Sequence, residues 1–403
     1  MTNNKRQTEA IVVGGGPAGL TAAVALAAGG VATVLVGKKP APGDNRTTAL
    51  LASSVTALET LGVWPLCHEQ SAPLRFLRIV DDTGRLWRAP EVKFEADEIG
   101  LEAFGWNIEN RVLVEALRER AHTLPNLEIV EDEVLGVATT ADHATVELRH
   151  GGMLTAPLVV GADGRKSLCR EAALIDIDEH RTRQVALTVC FRHTRPHHET
   201  STEFHTPSGQ CTVVPLPGNR SSLVWVLDPA VAEETAALGD ADLSAAIERA
   251  IHSILGKVEV EAGRGLFPLG VVTARAFGRS RIALVGEAAH VIPPVGAQGL
   301  NLGLRDAATI AELAAAAQRE HHDIGGELLL ARYEKMRRAD VGSRTLAVDL
   351  LNRSLLTDLL PVQSARGLGL YMLDRIGPLR RAVMREGVAP RTAQPRLMRG
   401  EPT

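Results

Sequence analysis

The sequence predicts an α/β fold: a parallel sheet flanked by helices, interrupted by an inserted antiparallel β-sheet and completed by a helical C-terminal region. Three observations predict it. The chain opens on strand, glycine turn and helix, with Ile11-Val-Val-Gly14-Gly-Gly16-Pro-Ala-Gly19 running into the alanine-rich segment Leu20 to Ala28. A second glycine-rich stretch, Val285-Gly286-Glu287 through Gly299-Leu300-Asn301, also follows an apolar strand and precedes an alanine-rich helix. From Arg183 to about Arg275 the pattern shifts to alternating strands divided by turns such as Pro217-Gly-Asn219.

In the opening unit, Ala10 to Val13 is a short apolar run with β-branched residues, and the glycines follow at once. Gly14 permits the turn, Gly16 lets the backbone approach a pyrophosphate, and Gly19 lets the helix pack closely on the strand. A phosphate then meets the helix N-terminus beside Pro17 and Ala18, where unpaired N–H groups and the macrodipole favour an anion. The unit therefore reads as Rossmann-like. Such folds place an acid at the end of the second strand for the ribose hydroxyls. Here Ala32 to Val36 runs into Gly37-Lys38-Lys39, without a carboxylate.

The second stretch points to a long ligand. Arg281 to Gly286 is an apolar strand, followed by Glu287, a proline-kinked turn at Pro293-Pro294, the glycines Gly296 and Gly299, and a helix from about Asn301 to Ala317. Its helix start aims N–H donors at a ligand far along the chain from the phosphate turn. At these residues the chain resembles the flavin-dependent aromatic hydroxylases of the para-hydroxybenzoate hydroxylase class, closest in pattern to the branch acting on ubiquinone precursors. The resemblance implies FAD, with Gly286 and Glu287 at its ribityl and pyrophosphate. It also implies that Pro294, Gly296, Gln298, Gly299, Leu300 and Asn301 run beside the isoalloxazine ring. The family usually carries Asp where Glu287 stands.

Between these stretches the resemblance marks further cofactor candidates: Arg46 in the loop before the helix Leu51 to Leu61, and Asn110 and Arg111 at the start of the helix Val112 to Thr123, which Asn110 can also N-cap. The strand Ala156 to Val160 delivers Asp163-Gly164-Arg165, matching a motif that in the family contacts both FAD and the visiting nicotinamide nucleotide. A hairpin is expected from Leu74 to Trp87, and meander strands at Leu127 to Val137 and Ala144 to Leu148. The antiparallel sheet would roof the substrate over the flavin. His193, His197, His198 and His205 sit there and read mostly as surface histidines, with a proton relay through one left open. Both tyrosines, Tyr333 and Tyr371, lie outside it, so a tyrosine relay has no counterpart. Glu203 and His205 are in suitable territory, and no residue is assigned as catalytic. Two helices follow, about Gly326 to Ala339 and Val341 to Leu351.

The boundaries expected are an FAD-binding domain in three parts (1–73, 106–182, 276–325), a substrate domain in two (74–105, 183–275) and a helical region (326–403). The tail from Arg366 carries eight arginines against Asp374, Glu386 and Glu401, interleaved with Leu368, Leu370, Tyr371, Leu373, Ile376 and Leu379. It reads either as a basic amphipathic surface for a membrane or quinone-biosynthesis partner, or as a helix packed on its own domain.

At 403 residues with 45% hydrophobic and 23% charged residues, the composition is that of a globular protein of more than one core. A net charge of −4 argues against nucleic acid as a partner. The four cysteines lack metal or redox spacing and read as reduced thiols of a cytoplasmic protein, and no metal site is expected. The polar N-terminus is not a signal peptide, and nowhere do about twenty apolar residues run uninterrupted. No second Gly-x-Gly-x-x-Gly follows a strand, so a separate NAD(P)H domain is not expected. The resemblance implies an FAD-dependent monooxygenase that takes NAD(P)H as co-substrate and uses O2 to hydroxylate an aromatic or polyprenyl phenol, peripheral on the inner membrane face if the tail binds lipid. Two readings stay open beside it: an NADP-linked oxidoreductase, for which Gly37-Lys38-Lys39 would welcome a ribose phosphate, and a non-catalytic accessory protein of quinone biosynthesis.

Overall fold

A computed structural model describes residues 5–38, 46–84, 91–294, 296–356, 369, 372, 375–388 and 394–403. Its central sheet has six strands, in the order Gly278–Arg279, Ile282–Leu284, Leu158–Gly161, Ala10–Val13, Thr33–Val36 and Leu127–Val130. All pair in parallel except the short edge strand Gly278–Arg279. The middle strands are buried and apolar but for Thr33, as expected where helices cover both faces. Helix Pro17–Ala28 lies against helices Asn110–His122 and Gln298–Arg319. From Gly19 to Ala27 it is buried on every side, which its alanines and glycine permit.

The second large sheet has eight strands: His290–Val291, Val258–Ala274, Ile177–His193, Arg220–Leu227, Gly209–Leu216, Thr200–Thr206, Phe76–Asp81 and Val92–Glu95. It is antiparallel except that Thr200–Thr206 and Phe76–Asp81 run parallel, so the insert is a mixed sheet. Alternation divides its faces. Leu187, Val189, Phe204, Cys211, Val213 and Leu223 pack with Leu243, Ile247 and Ile251 of helix Asp240–Ala250 and its end. The opposite face turns to a three-stranded sheet of Thr47–Leu51, Gly105–Glu109 and Ser71–Pro73. There Thr47 bonds Ser222 at 2.9 Å and Asn107 donates to the Pro215 carbonyl at 2.9 Å.

Several elements differ from the expectation. Thr47–Leu51 is a strand rather than loop, because Gly105–Glu109 offers it an antiparallel partner far along the chain, with Thr47 opposite Glu109 and Leu51 opposite Gly105. Helix Ala52–Thr60 follows directly. Phe76–Asp81 pairs with Val92–Glu95, and the second arm of the expected hairpin, 85–87, lies outside the described residues. The run Leu127 to Val137 is broken. Leu127–Val130 belongs to the parallel sheet and Val134–Thr139 to a four-stranded sheet with Ala144–Leu148, Met153–Ala156 and Lys5–Gln7. Asp132 makes the break by accepting the Glu133 N–H at 2.7 Å and the His150 N–H at 3.2 Å.

The two helices expected after Gly326 are one, Glu327–Leu356. One of its charged residues faces inward. Arg337 is buried, donating to Asp306 at 2.6 Å and Asp340 at 2.8 Å, while Tyr333 donates to the Leu284 carbonyl at 2.7 Å. Burial works against ionisation of Asp306 and Asp340, but His290 and Arg337 beside the first, and Arg337, Arg305 and Arg344 beside the second, hold both below the usual carboxylate range. The four cysteines are free and buried, and burial raises their thiols.

Replacing Arg337 by Met should therefore destabilise the protein by about 3–5 kcal/mol in denaturant unfolding, the cost of stranding a buried partner charge. Because the aspartates' folded values are depressed, the difference from wild type should be full above about pH 4, their unfolded value, and shrink as pH falls through the folded values. A pH-independent difference would contradict the ion-pair account.

Candidate active site

Three glycine turns meet at the C-terminal edge of the parallel sheet. Gly14 has φ +124°, and a Cβ there would lie 2.2 Å from the Ala162 carbonyl oxygen, so this turn touches the Asp163-Gly164 turn directly. A Cβ on Gly19 would lie 2.0 Å from the Gly14 oxygen, whereas Gly16 has no neighbour within 4 Å. Gly286, at φ +62°, would place a Cβ 3.2 Å from that of Ala18, and Gly303 presses on Gly286 in turn. The second stretch thus sits at the start of the first helix. Both helices begin bare: neither Gly16 nor Ala297 supplies a side-chain cap. Their first N–H groups are left for a ligand or water.

A cleft of about 710 Å³ runs along the first turn, lined by Gly14–Pro17, by Val36–Lys38 and Asp132–Val134, and by Arg46, Asn110, Arg111, Asp163 and Lys166. Arg46 is exposed, its guanidinium 5.8 Å from the Phe267 ring centre. Asn110 is the first residue of helix Asn110–His122 rather than its N-cap, a position that Glu109 takes, and its Oδ1 accepts from Thr48 at 2.8 Å. Arg111 bonds Glu109 at 2.8 Å, and Glu109 also accepts from Arg220 of the large sheet at 3.1 Å. Burial opposes its ionisation, and the two arginines outweigh it, keeping its carboxyl below the usual range. Asp163 lines the cleft while accepting from Ser167 at 2.5 Å and the Cys169 N–H at 3.1 Å. Gly164 has open space.

On the second stretch, Glu287 is exposed and faces Arg165 at 3.4 Å. Pro294, Gly296 and Gly299 are exposed, and Leu300 packs partly on the core. The Asn301 side chain is spent on the protein itself, donating to Ala49 at 2.8 Å and Ala297 at 2.5 Å and accepting from Leu51 at 2.9 Å. It ties the Gln298 helix to the strand that follows Arg46.

Sequence reasoning missed the supports. Asp306 accepts from the Gly286 N–H at 2.9 Å and from His290 at 2.7 Å, fixing the Gly286 turn. Arg344 donates to Gln298 at 2.7 Å, and Gln298 donates to the Gly296 carbonyl at 3.0 Å. An acid inside an alanine-rich apolar helix was the available signal for Asp306; Arg344 had none. On the inner face of the large sheet His205 is buried and bonds Glu203 at 2.8 Å, so it is not a surface histidine. His193 is buried as well, bonded to Ser221 at 3.0 Å.

Residues 7–347 match the family described as FAD binding domain. The chain belongs to that family. It is 36% identical to the ubiquinone hydroxylase UbiL of Rhodospirillum rubrum, over 98% of this chain and 93% of that one. It is 32% identical to the 3-demethoxyubiquinol 3-hydroxylase of Escherichia coli, over 96% and 99%. The p-nitrophenol 4-monooxygenase PnpA of Pseudomonas putida shares the fold at a TM-score of 0.79 and 20% identity, covering 97% of this chain and 100% of that one.

The protein is an FAD-dependent monooxygenase of the hydroxylase type, with NAD(P)H as co-substrate. The open space at Gly16, the two bare helix starts and the cleft along the first turn suit an extended anionic cofactor. Bound FAD supplies the redox and oxygen chemistry. To such a group the chain would offer N–H donors at Ala18 and Gly19 and at Gly299 and Leu300, with Asp306 and Arg344 holding the loops beside them.

Gly16 and Gly14 should separate in mutation. Gly16→Val should leave the flavin-free protein within about 0.5 kcal/mol of wild type and weaken FAD binding roughly tenfold or more, by equilibrium titration. Gly14→Ala should instead destabilise the flavin-free protein by more than about 2 kcal/mol, since it adds strain and a backbone clash.

Proposed function

We propose that the protein hydroxylates the ring of a polyprenyl phenol on the route to ubiquinone, and that it works as a peripheral protein at a membrane surface. The observation that carries the substrate is likeness along nearly the whole chain to two proteins named as hydroxylases of ubiquinone or its precursor. The ring would lie between the inner face of the mixed sheet and the Gln298 helix start, whose uncapped N–H groups favour negative charge on the reduced flavin. No tyrosine serves this face among the described residues, since Tyr333 is spent on Leu284 and Tyr371 lies outside them. The chain's own work is then to orient the ring, exclude water and place fixed dipoles. The accessory reading and the NADP-linked reading are not favoured.

The C-terminal region supports the surface. Helix Gly377–Val388 docks on the mixed sheet through buried Met384, and through Arg380, which bonds Glu98 at 2.6 Å and stacks 4.8 Å from the Phe94 ring centre. Another side of it carries Leu379 and Val383, four apart and 39% and 46% exposed, and Met372 and Ile376, which precede the helix, are 38% and 42% exposed. Exposed Arg375, Arg381 and Arg385 flank them. No helix among the described residues is long and apolar enough to cross a membrane. Of the expected tail, Arg366, Leu368, Leu370, Tyr371, Leu373 and Asp374 lie outside the described residues.

Purified protein given FAD, NADH or NADPH, air and a polyprenyl phenol should yield a product one oxygen heavier, and 18O2 should label it. Reductant consumption without labelled product would reject the substrate. In flotation assays, anionic vesicles should bind the protein more than neutral ones, and Leu379→Asp with Val383→Asp should lower binding several-fold. Unchanged binding would discard the membrane surface.

A further inference from the structure

We infer that Glu133 holds the adenosine ribose of FAD, in place of the acid that the second strand lacks. The inference rests on the FAD reading. Strand Thr33–Val36 ends at Gly37, and a Cβ there would lie 2.4 Å from the Gly15 nitrogen and 2.7 Å from its Cα. Both are backbone atoms that cannot move aside without reshaping the phosphate turn. The contact is mutual, since a Cβ on Gly15 would lie 2.7 Å from the Lys38 oxygen. Glycine at 37 is therefore a packing requirement of this chain, and a carboxylate cannot stand there.

The next strand delivers one to the same edge. Leu127–Val130 pairs in parallel with Thr33–Val36, and the Gly37 N–H donates to the Val130 carbonyl at 3.1 Å. Three residues on, Glu133 lines the same cleft as Gly14, Gly16 and Lys38. Lys38 lies 2.8 Å from its carboxylate and Arg149 2.6 Å, and these two bonds push its pKa down to about 2. The group is thus an ionised, oriented acceptor with its side chain 35% exposed. It matches the two O–H donors of a ribose diol. Neighbouring Asp132 is not free for this. It is 8% exposed and accepts from the Glu133 and His150 N–H groups and from the His150 ring at 2.8 Å. The two cations at Glu133 also offset its repulsion of the diphosphate, which makes a carboxylate tolerable at this end of the cleft.

The test is equilibrium binding of FAD and of FMN, which lacks the adenosine, to the flavin-free full-length protein and its Glu133→Gln variant. Flavin fluorescence reports binding, and the flavin-free melting temperature checks folding. The variant should bind FAD roughly 10- to 100-fold more weakly, the loss of a charge-assisted hydrogen bond, with FMN binding unchanged. Removing a negative charge near a diphosphate would by Coulomb's law alone tighten FAD binding, so a loss marks the hydrogen bond. Unchanged FAD binding, or equal loss of FAD and FMN, overturns the inference. Wild-type protein that binds no FAD would instead sink the cofactor reading. Gly37→Glu, which restores an acid at the usual position, should weaken FAD binding and lower the flavin-free melting temperature; tighter FAD binding in that variant would also overturn the inference.

Discussion

The helices that begin at Pro17 and Gln298 approach until Gly286 and Gly303 lie against Ala18, and that closeness sets where the cofactor's two halves can meet. A Cβ at Gly303 would already be 3.2 Å from the Gly286 Cα. Side chains of any size at these positions would push the helix starts apart. With alanine and glycine there, two macrodipoles point their positive ends to one edge of the sheet, and neither is neutralised by its own N-cap. A single extended anion can then use both, although the helix starts, Pro17 and Gln298, stand 281 positions apart.

Small residues bring helices close but bury little area per residue, so the approach needs anchoring elsewhere. Asp306 provides it from inside the second helix. One carboxylate takes the Gly286 N–H, His290 and Arg337, so the turn, the short strand after it and the long C-terminal helix are fixed to one point. Arg305 and Arg344 share Asp340 with Arg337, and Arg344 reaches on to Gln298. Buried charge of this kind tolerates little rearrangement, because each group needs its partner. It gives the loop from Gly296 to Gln298 a fixed seat rather than an adaptable one.

What could be read from the chain followed from short-range pattern. The glycine spacing at 14, 16 and 19 announces a turn and a helix start because each glycine answers a local steric demand, and the buried strands announce themselves as apolar runs. What could not be read depends on partners far away. Thr47–Leu51 looks like loop until Gly105–Glu109 lies beside it. Arg337 and Asp340 look like a solvated helix face, since an i, i+3 ion pair is usually one, and only the fold turns them inward. The role of Gly37 was invisible for the same reason: an absent acid reads as a deficit, and only the contact with Gly15 shows it to be a fit.

The order of strands in the parallel sheet also sets a schedule. Ala10–Val13 pairs with Thr33–Val36 early, but its other neighbour, Leu158–Gly161, is made much later, and Ile282–Leu284 with the Gly286 turn later still. During synthesis the first glycine turn must wait, for most of the chain's length, before the second is even translated. Assembly is therefore dominated by long-range closure, which slows folding. Flavin can only capture the nearly finished product, so in the cell its supply would act as a late checkpoint, drawing completed chains into the holo form and leaving partial ones unrewarded.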